Sequence, residues 1–426
     1  MQFKMLTLLS LGFLLGTQSF AQTSLKYVWV LNEGRYDYVQ SKQTIPVSLG
    51  RYDVENKSYE EMLEFTDVRF GSDLKVTEDF IFLATDTLLV KLDKYSLTEL
   101  DRAVVHGIRK IAVDEDQVYI TRGEYGVNFN SYFQMRDVND LSQLTEVNSQ
   151  DGPKFSTEGV ELKDGNVYIA VNNGFDFGNE VGFIGKYELG VSTSYSEIDL
   201  GPNGANPDNL MMTDDGIFTL NNKDYSGSSV SVLDFDLNGV ATSNLANVGA
   251  GCGTSMYYDS RVMYQEFGEN KLFGFNPISA EIDDSLELNY EFYGLVADES
   301  GQIFATLTDF LSTGSLLVFD ANKAKVDSLA IGVSAGNLAL DYRSSVGSEE
   351  LNFVDFGLYP NPTKGNLRLT GNFEIAEVKI LNALGSLQYE VQVKSGELIW
   401  LDLPQGIYIV EMTAGETTTT EKIIIQ

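Results

Sequence analysis

The chain has 426 residues, 43% hydrophobic and 12% aromatic, which is enough apolar surface for a substantial core and excludes a disordered chain. Its 62 acidic residues against 29 basic ones leave a formal net charge of -33; this disfavours nucleic-acid binding, because a polyanion is held by clustered Lys and Arg. A single cysteine, Cys252, excludes an internal disulfide framework.

Residues Met1–Ala21 read as a secretory signal peptide. Lys4 gives the basic start, Met5–Gly16 an apolar stretch of about twelve residues, and Ser19-Phe20-Ala21 a small-x-small cleavage site. The stretch is too short to span a bilayer, and no other run is long and apolar enough, so no transmembrane segment is expected in the mature chain. No cysteine near the cut offers a lipid anchor.

From residue 23 to 343 one phrase recurs. Its clearest copy is Val160–Asn172, a short apolar strand, a turn at Lys163-Asp164-Gly165-Asn166, and a second strand rich in β-branched and aromatic residues. The other copies are Leu74–Thr85, Ile111–Thr121, Leu210–Asn222, Ser255–Phe267 and Leu295–Leu307. A truncated copy stands at Leu338–Ser344, and its missing second strand is at Tyr27–Asn32, near the other end of the chain. Seven units at a mean period of roughly 44 residues match four-stranded propeller blades. Such sheets bury both faces only by packing in a ring, and a repeat split between the two ends is what ring closure requires. The expected fold is therefore all-β: a seven-bladed β-propeller closed by its N- and C-terminal strands. A β-sandwich or open solenoid leaves the split repeat unexplained.

The loops before the inner strands and those between second and third strands emerge at one end of the ring. They are rich in Asn, Gly and aromatics, including Tyr38, Phe129 and Phe177. A binding surface there would draw aromatic faces from Tyr36, Tyr125, Phe175, Tyr225, Phe267, Tyr293 and Phe310. Asn172, Asn206 and Asp208 would supply polar edges. His106, the one histidine, and Arg109 lie in such a loop and are expected as ligand contacts at the mouth, but a lone His cannot build a zinc site. Cys252 reads as a small buried filler. Asp234-Phe235-Asp236-Leu237-Asn238-Gly239 imitates a calcium loop, but Leu245 stands where the bidentate Glu belongs, so a hairpin turn is the better reading. No catalytic residue, metal ligand or cofactor is assigned.

Residues 344–356 read as a linker, and 357–426 as a small Ig-like β-sandwich with strands such as Val378–Leu381 and Ile407–Met412. This module resembles the type A sorting domain of the type IX secretion system of Bacteroidetes. The resemblance rests on Leu358–Thr363 (LYPNPT) with Gly365, Val378–Gly385 (VKILNALG), Leu401–Met412 (LDLPQGIYIVEM) and the ending Thr420–Gln426 (TEKIIIQ). It implies recognition by the type IX secretion machinery, passage across the outer membrane, removal of the module, and a secreted or cell-surface product. The propeller resembles the YncE-like group, and its opening Tyr27–Gly34 (YVWVLNEG) is similar to DUF5074-type surface propellers. That resemblance implies non-catalytic capture of a ligand, in nutrient (corrinoid-like) uptake. The partner at the loop-rich face is an unidentified small molecule, glycan or surface protein. The rival readings are a propeller hydrolase or lactonase with a carboxylate-bound metal, and an adhesion or matrix protein.

Overall fold

The repeated phrase folds as an antiparallel strand pair each time it occurs. In its clearest copy Leu162 pairs with Val167 and Lys163 with Asn166, and the chain reverses through Asp164 and Gly165 at φ of 49° and 75°. Two consecutive positive-φ residues give the turn whose twist matches that of the flanking strands. In this computed structural model the described residues are 22–191, 195–223, 226–245, 250–345, 357–370, 375–382, 385–414 and 417–426. The signal-peptide segment, Tyr225 and residues 346–356 of the expected linker lie outside them, as does the side chain of Cys252.

Among the described residues between Ser24 and Arg343, one compact unit holds seven four-stranded antiparallel sheets. The inner strands of six are Gly71–Val76, Ile108–Val113, Thr157–Lys163, Pro207–Met212, Ala250–Tyr258 and Leu295–Ala297. The seventh sheet draws on both ends of the unit: Ala335–Ser345 lies beside Gln22–Asn32, followed by Val47–Asp53 and Ser58–Phe65. We call this the first blade and count the others in chain order. Its inner strand runs two residues into the segment expected as linker.

Seven hydrophobic layers separate the seven sheets. Trp29 and Leu31 of the first blade pack with Ile81 and Leu83 of the second, and Phe82 of the second with Ile111 and Ile120 of the third. The series continues around to Val28, Val30 and Tyr52, which pack against Phe304, Leu316 and Val318 of the seventh blade. The middle strand Phe80–Thr85 is buried along nearly its whole length because a neighbouring sheet covers each face. Outer strands such as Glu281–Leu286 are exposed.

The second unit, from residue 357 onward, pairs a four-stranded sheet with a three-stranded one. Gly406–Ala414 alternates inward Tyr408, Val410 and Met412 with outward Ile407, Ile409 and Glu411. The inward set joins Leu367, Leu369, Val378, Ile380 and Ile423 in one core. Two strands are additional to those expected, Gly357–Tyr359 and Leu387–Lys394.

Candidate functional site

Five of the seven inner strands lose register with their neighbour at the same place, just before the apolar run begins. The breaks fall between Gly71 and Asp73, Ile108 and Ile111, Thr157 and Val160, Pro207 and Leu210, and Ala250 and Ser255. A bulge frees residues from the ladder and re-aims their side chains. In the first four breaks the freed residues are Ser72, Arg109 with Lys110, Glu158 with Gly159, and Asp208 with Asn209. All of them line one cavity of about 400 Å3, to which all seven inner strands contribute.

Its wall is charged, and the charges are held. The Arg109 guanidinium donates to Glu158 in bidentate fashion, Nε to Oε2 at 2.8 Å and Nη2 to Oε1 at 2.9 Å, and lies 4.9 Å from the Phe175 ring centre. Lys110 Nζ donates to Asn337 Oδ1 at 2.9 Å and stands 3.9 Å from Asp73. Asp73 is buried, and its Oδ2 accepts the Ile111 amide at 2.8 Å, so one bulge's displaced backbone donor is satisfied by the preceding blade's carboxylate. Deeper along the strands Lys75 faces Glu161 at 3.7 Å, and that carboxylate, first of all, holds the ammonium above its ordinary value. Asn222 Nδ2 donates to Asp208 Oδ2 at 3.0 Å.

Glu33, at the end of the strand Gln22–Asn32, sits on the same wall. Desolvation pushes its carboxyl up to about 7, against the opposing pull of a 2.8 Å hydrogen bond from the Tyr293 hydroxyl and of Lys110 and Arg109. A carboxyl that exchanges its proton near neutrality can present either a donor or a charge to whatever enters.

Of the residues expected at the mouth, Arg109, Asn172, Phe175, Asn206, Asp208 and Tyr293 line this cavity. Asn172 also holds its own loop, its Oδ1 accepting the Gly174 amide at 3.0 Å, and Asn206, at φ 57°, bonds through its carbonyl to the Asn222 amide. Phe267 and Phe310, with Tyr293, line a separate cavity. Tyr36, His106 and Tyr125 line neither. His106 is exposed, and its backbone carbonyl accepts from Arg122. Tyr125 pairs with Phe177 across neighbouring loops at 6.0 Å, and Tyr36 with Tyr38 at 5.0 Å. The expectation missed Glu33, Asp73, Lys75, Lys110, Glu158, Glu161, Asn209 and Asn337. A signal for several lay in the repeat: Asp73, Lys110, Asn209 and Asn337 each immediately precede the first apolar residue of their copy. Among the described residues no three His, Cys, Asp or Glu side chains are grouped so as to hold a metal ion.

Residues 357–426 match the family described as a secretion system C-terminal sorting domain. No curated protein matches the chain. Among solved structures it is similar to a hypothetical selenium-binding protein from Sulfolobus tokodaii, at 10% identity over 76% of this chain and 94% of that one, with a TM-score of 0.55. It is also similar to apo AztD from Citrobacter koseri, at 9% identity over 75% and 99% with a TM-score of 0.45. A third is the extracellular domain of a one-component system from B. thetaiotaomicron, at 11% identity over 95% and 59% with a TM-score of 0.49. At these identities no role carries over, and the first alone of the three, with its TM-score above 0.5, bears on the fold. The terminal match says where the protein works: this is an all-β, propeller-bearing chain carrying a type IX sorting domain, secreted and displayed at the cell surface.

Proposed function

We propose that the protein is a non-catalytic surface propeller that binds a ligand, or the projecting part of a protein partner, in the axial cavity and over the loops around it. The observation that supports this most is the construction of the cavity wall. Bulges recurring at one position turn charged and amide side chains inward, and those side chains are already fixed by one another before any ligand arrives. Pre-fixed polar groups spare the ordering cost of binding. A volume of about 400 Å3 falls within the range of small-molecule sites. The wall carries both signs, so a ligand bearing both donors and acceptors suits it better than a simple ion.

The resemblance to YncE-like and DUF5074-type propellers extends this reading to nutrient capture, with a corrinoid-like ligand lying across the mouth and a side arm reaching the cavity. A thermal-shift screen of the purified protein against corrinoids, haem, glycans and divalent metals tests it. A ligand at about 100 times its Kd should add about 2.7 kcal/mol to stability. Arg109→Lys, which gives up the bidentate fork and the stack on Phe175, should weaken that ligand. No shift with cobalamin at saturating concentration removes the corrinoid reading. A ligand whose affinity is indifferent to Arg109 and Lys110 removes the axial site.

A further inference from the structure

A second cavity, of about 630 Å3, opens between the sixth and seventh blades. Gln265 anchors its wall: its Oε1 accepts the Phe292 amide at 2.6 Å and its Nε2 donates to the Tyr290 carbonyl at 2.7 Å. This holds Phe292 buried and sets the Tyr293 ring edge-on to Phe310, with centroids 5.0 Å apart. At the lip, Phe310 is 52% exposed and Phe267 76%. Glu291 stands beside them and accepts the Gly268 amide at 3.3 Å, which ties its loop to the one carrying Phe267.

Elsewhere in the propeller, ring faces are given internal cations: Lys91 over Phe80, Arg122 over Phe129, Arg109 over Phe175 and Lys271 over Phe273. Among the described residues no cation lies over Phe267 or Phe310, and no Lys or Arg lines the cavity. Its charged lining residues are Glu266 and Glu291, in a chain of net charge -33. A ring's negative face and a carboxylate attract the same kind of charge, and a low-dielectric wall strengthens both attractions.

We propose that this cleft binds an organic cation with an apolar body, its ammonium set against the faces of Phe267 and Phe310 with Glu291 as counter-charge and its body against Phe292 and Tyr293. The site stands apart from the axial cavity, sharing only Tyr293, whose ring faces the cleft and whose hydroxyl bonds Glu33.

The probe is phenyltrimethylammonium, compared with its neutral isostere tert-butylbenzene, with binding to the full chain followed by ligand-observed NMR. The cation should bind at least about tenfold tighter than the isostere, and Phe267→Ala or Phe310→Ala should each weaken it about tenfold. Glu291→Gln should weaken it several-fold and reduce its salt dependence. Both rings are exposed, so these variants should fold as the parent does. His106→Ala, at an exposed residue that lines neither cavity, should leave binding of this probe unchanged, and Arg109→Lys, which weakens an axial ligand, should leave this probe bound, so failure of either site is distinguishable. Equal affinity for the two probes would reduce the cleft to an apolar slot, and no binding of the cation at millimolar concentration, or binding indifferent to all three cleft variants, would overturn the proposal.

Discussion

Replacing Asp341 by alanine should lower the melting temperature of the propeller by about 4–8 °C. Asp341 lies on the inner strand Ala335–Ser345 and is fully buried. Its carboxylate receives Trp29 Nε1 at 3.2 Å from the adjacent strand, Arg343 Nη2 at 2.8 Å, and stands 3.2 Å from Lys94 Nζ of the second blade. Lys94 is itself only 3% exposed and donates to the Thr77 carbonyl at 3.0 Å. The alanine variant therefore leaves an ammonium buried without its counter-charge and an indole N–H without an acceptor, a loss of about 3–5 kcal/mol. Unfolding entropy for a unit of about 320 residues is roughly 0.7 kcal/mol per degree, which converts that loss into the stated shift. Scanning calorimetry of wild type, Asp341→Ala, Lys94→Met and the double variant measures it. The double variant should lose less than the two singles combined, because neither buried charge is then left unpaired. A melting temperature within a degree of wild type for Asp341→Ala would refute the reasoning.

Glu33→Gln should flatten the pH dependence of stability near neutrality. The folded chain holds this proton up to about pH 7 while the unfolded chain releases it near 4.5, so stability falls as pH rises through that window; urea midpoints at several pH values should show the slope in wild type and its loss in the variant. Gly159→Ala should cost about 1–3 kcal/mol, because its Cβ would stand 2.5 Å from the Asp208 carbonyl oxygen and force two neighbouring inner strands apart, which a denaturation midpoint would register. Deleting residues 357–426 should trap the propeller in the periplasm, as cell fractionation would show; normal appearance of the truncated protein outside the cell would contradict sorting by this module.

The blades were legible because their cause is local. A phrase such as Lys163-Asp164-Gly165-Asn166 between two apolar runs dictates a hairpin whatever surrounds it, and seven copies dictate how many sheets need covering. The strand Leu387–Lys394 was missed although its own sequence announces it: LQYEVQVK alternates apolar and polar residues, and Tyr389, Val391 and Val393 turn toward the core while the strand pairs with Ile375–Asn382.

The site was legible only in part, because a loop's aromatic content says nothing about which way its rings turn. Tyr125 and Phe175 occupy neighbouring second-to-third-strand loops and looked alike as sequence. Phe175 is drawn under the Arg109 guanidinium beside the cavity, whereas Tyr125 stays 71% exposed against Phe177. The charged wall escaped for a different reason. Asp73, Lys110 and Glu158 sit at the starts of strands, where strict alternation would have sent successive residues to opposite faces of their own sheet. The bulge breaks that alternation, and its effect appears only when the copies are aligned on their first apolar residue. Aligned so, the residue ahead of that position is Asp73, Lys110, Gly159, Asn209, Ser255, Gly294 and Asn337 in successive blades. The apolar positions that follow stay apolar while this one changes from blade to blade, which is how a fold held by its repeat comes to carry a site that belongs to no single copy of it.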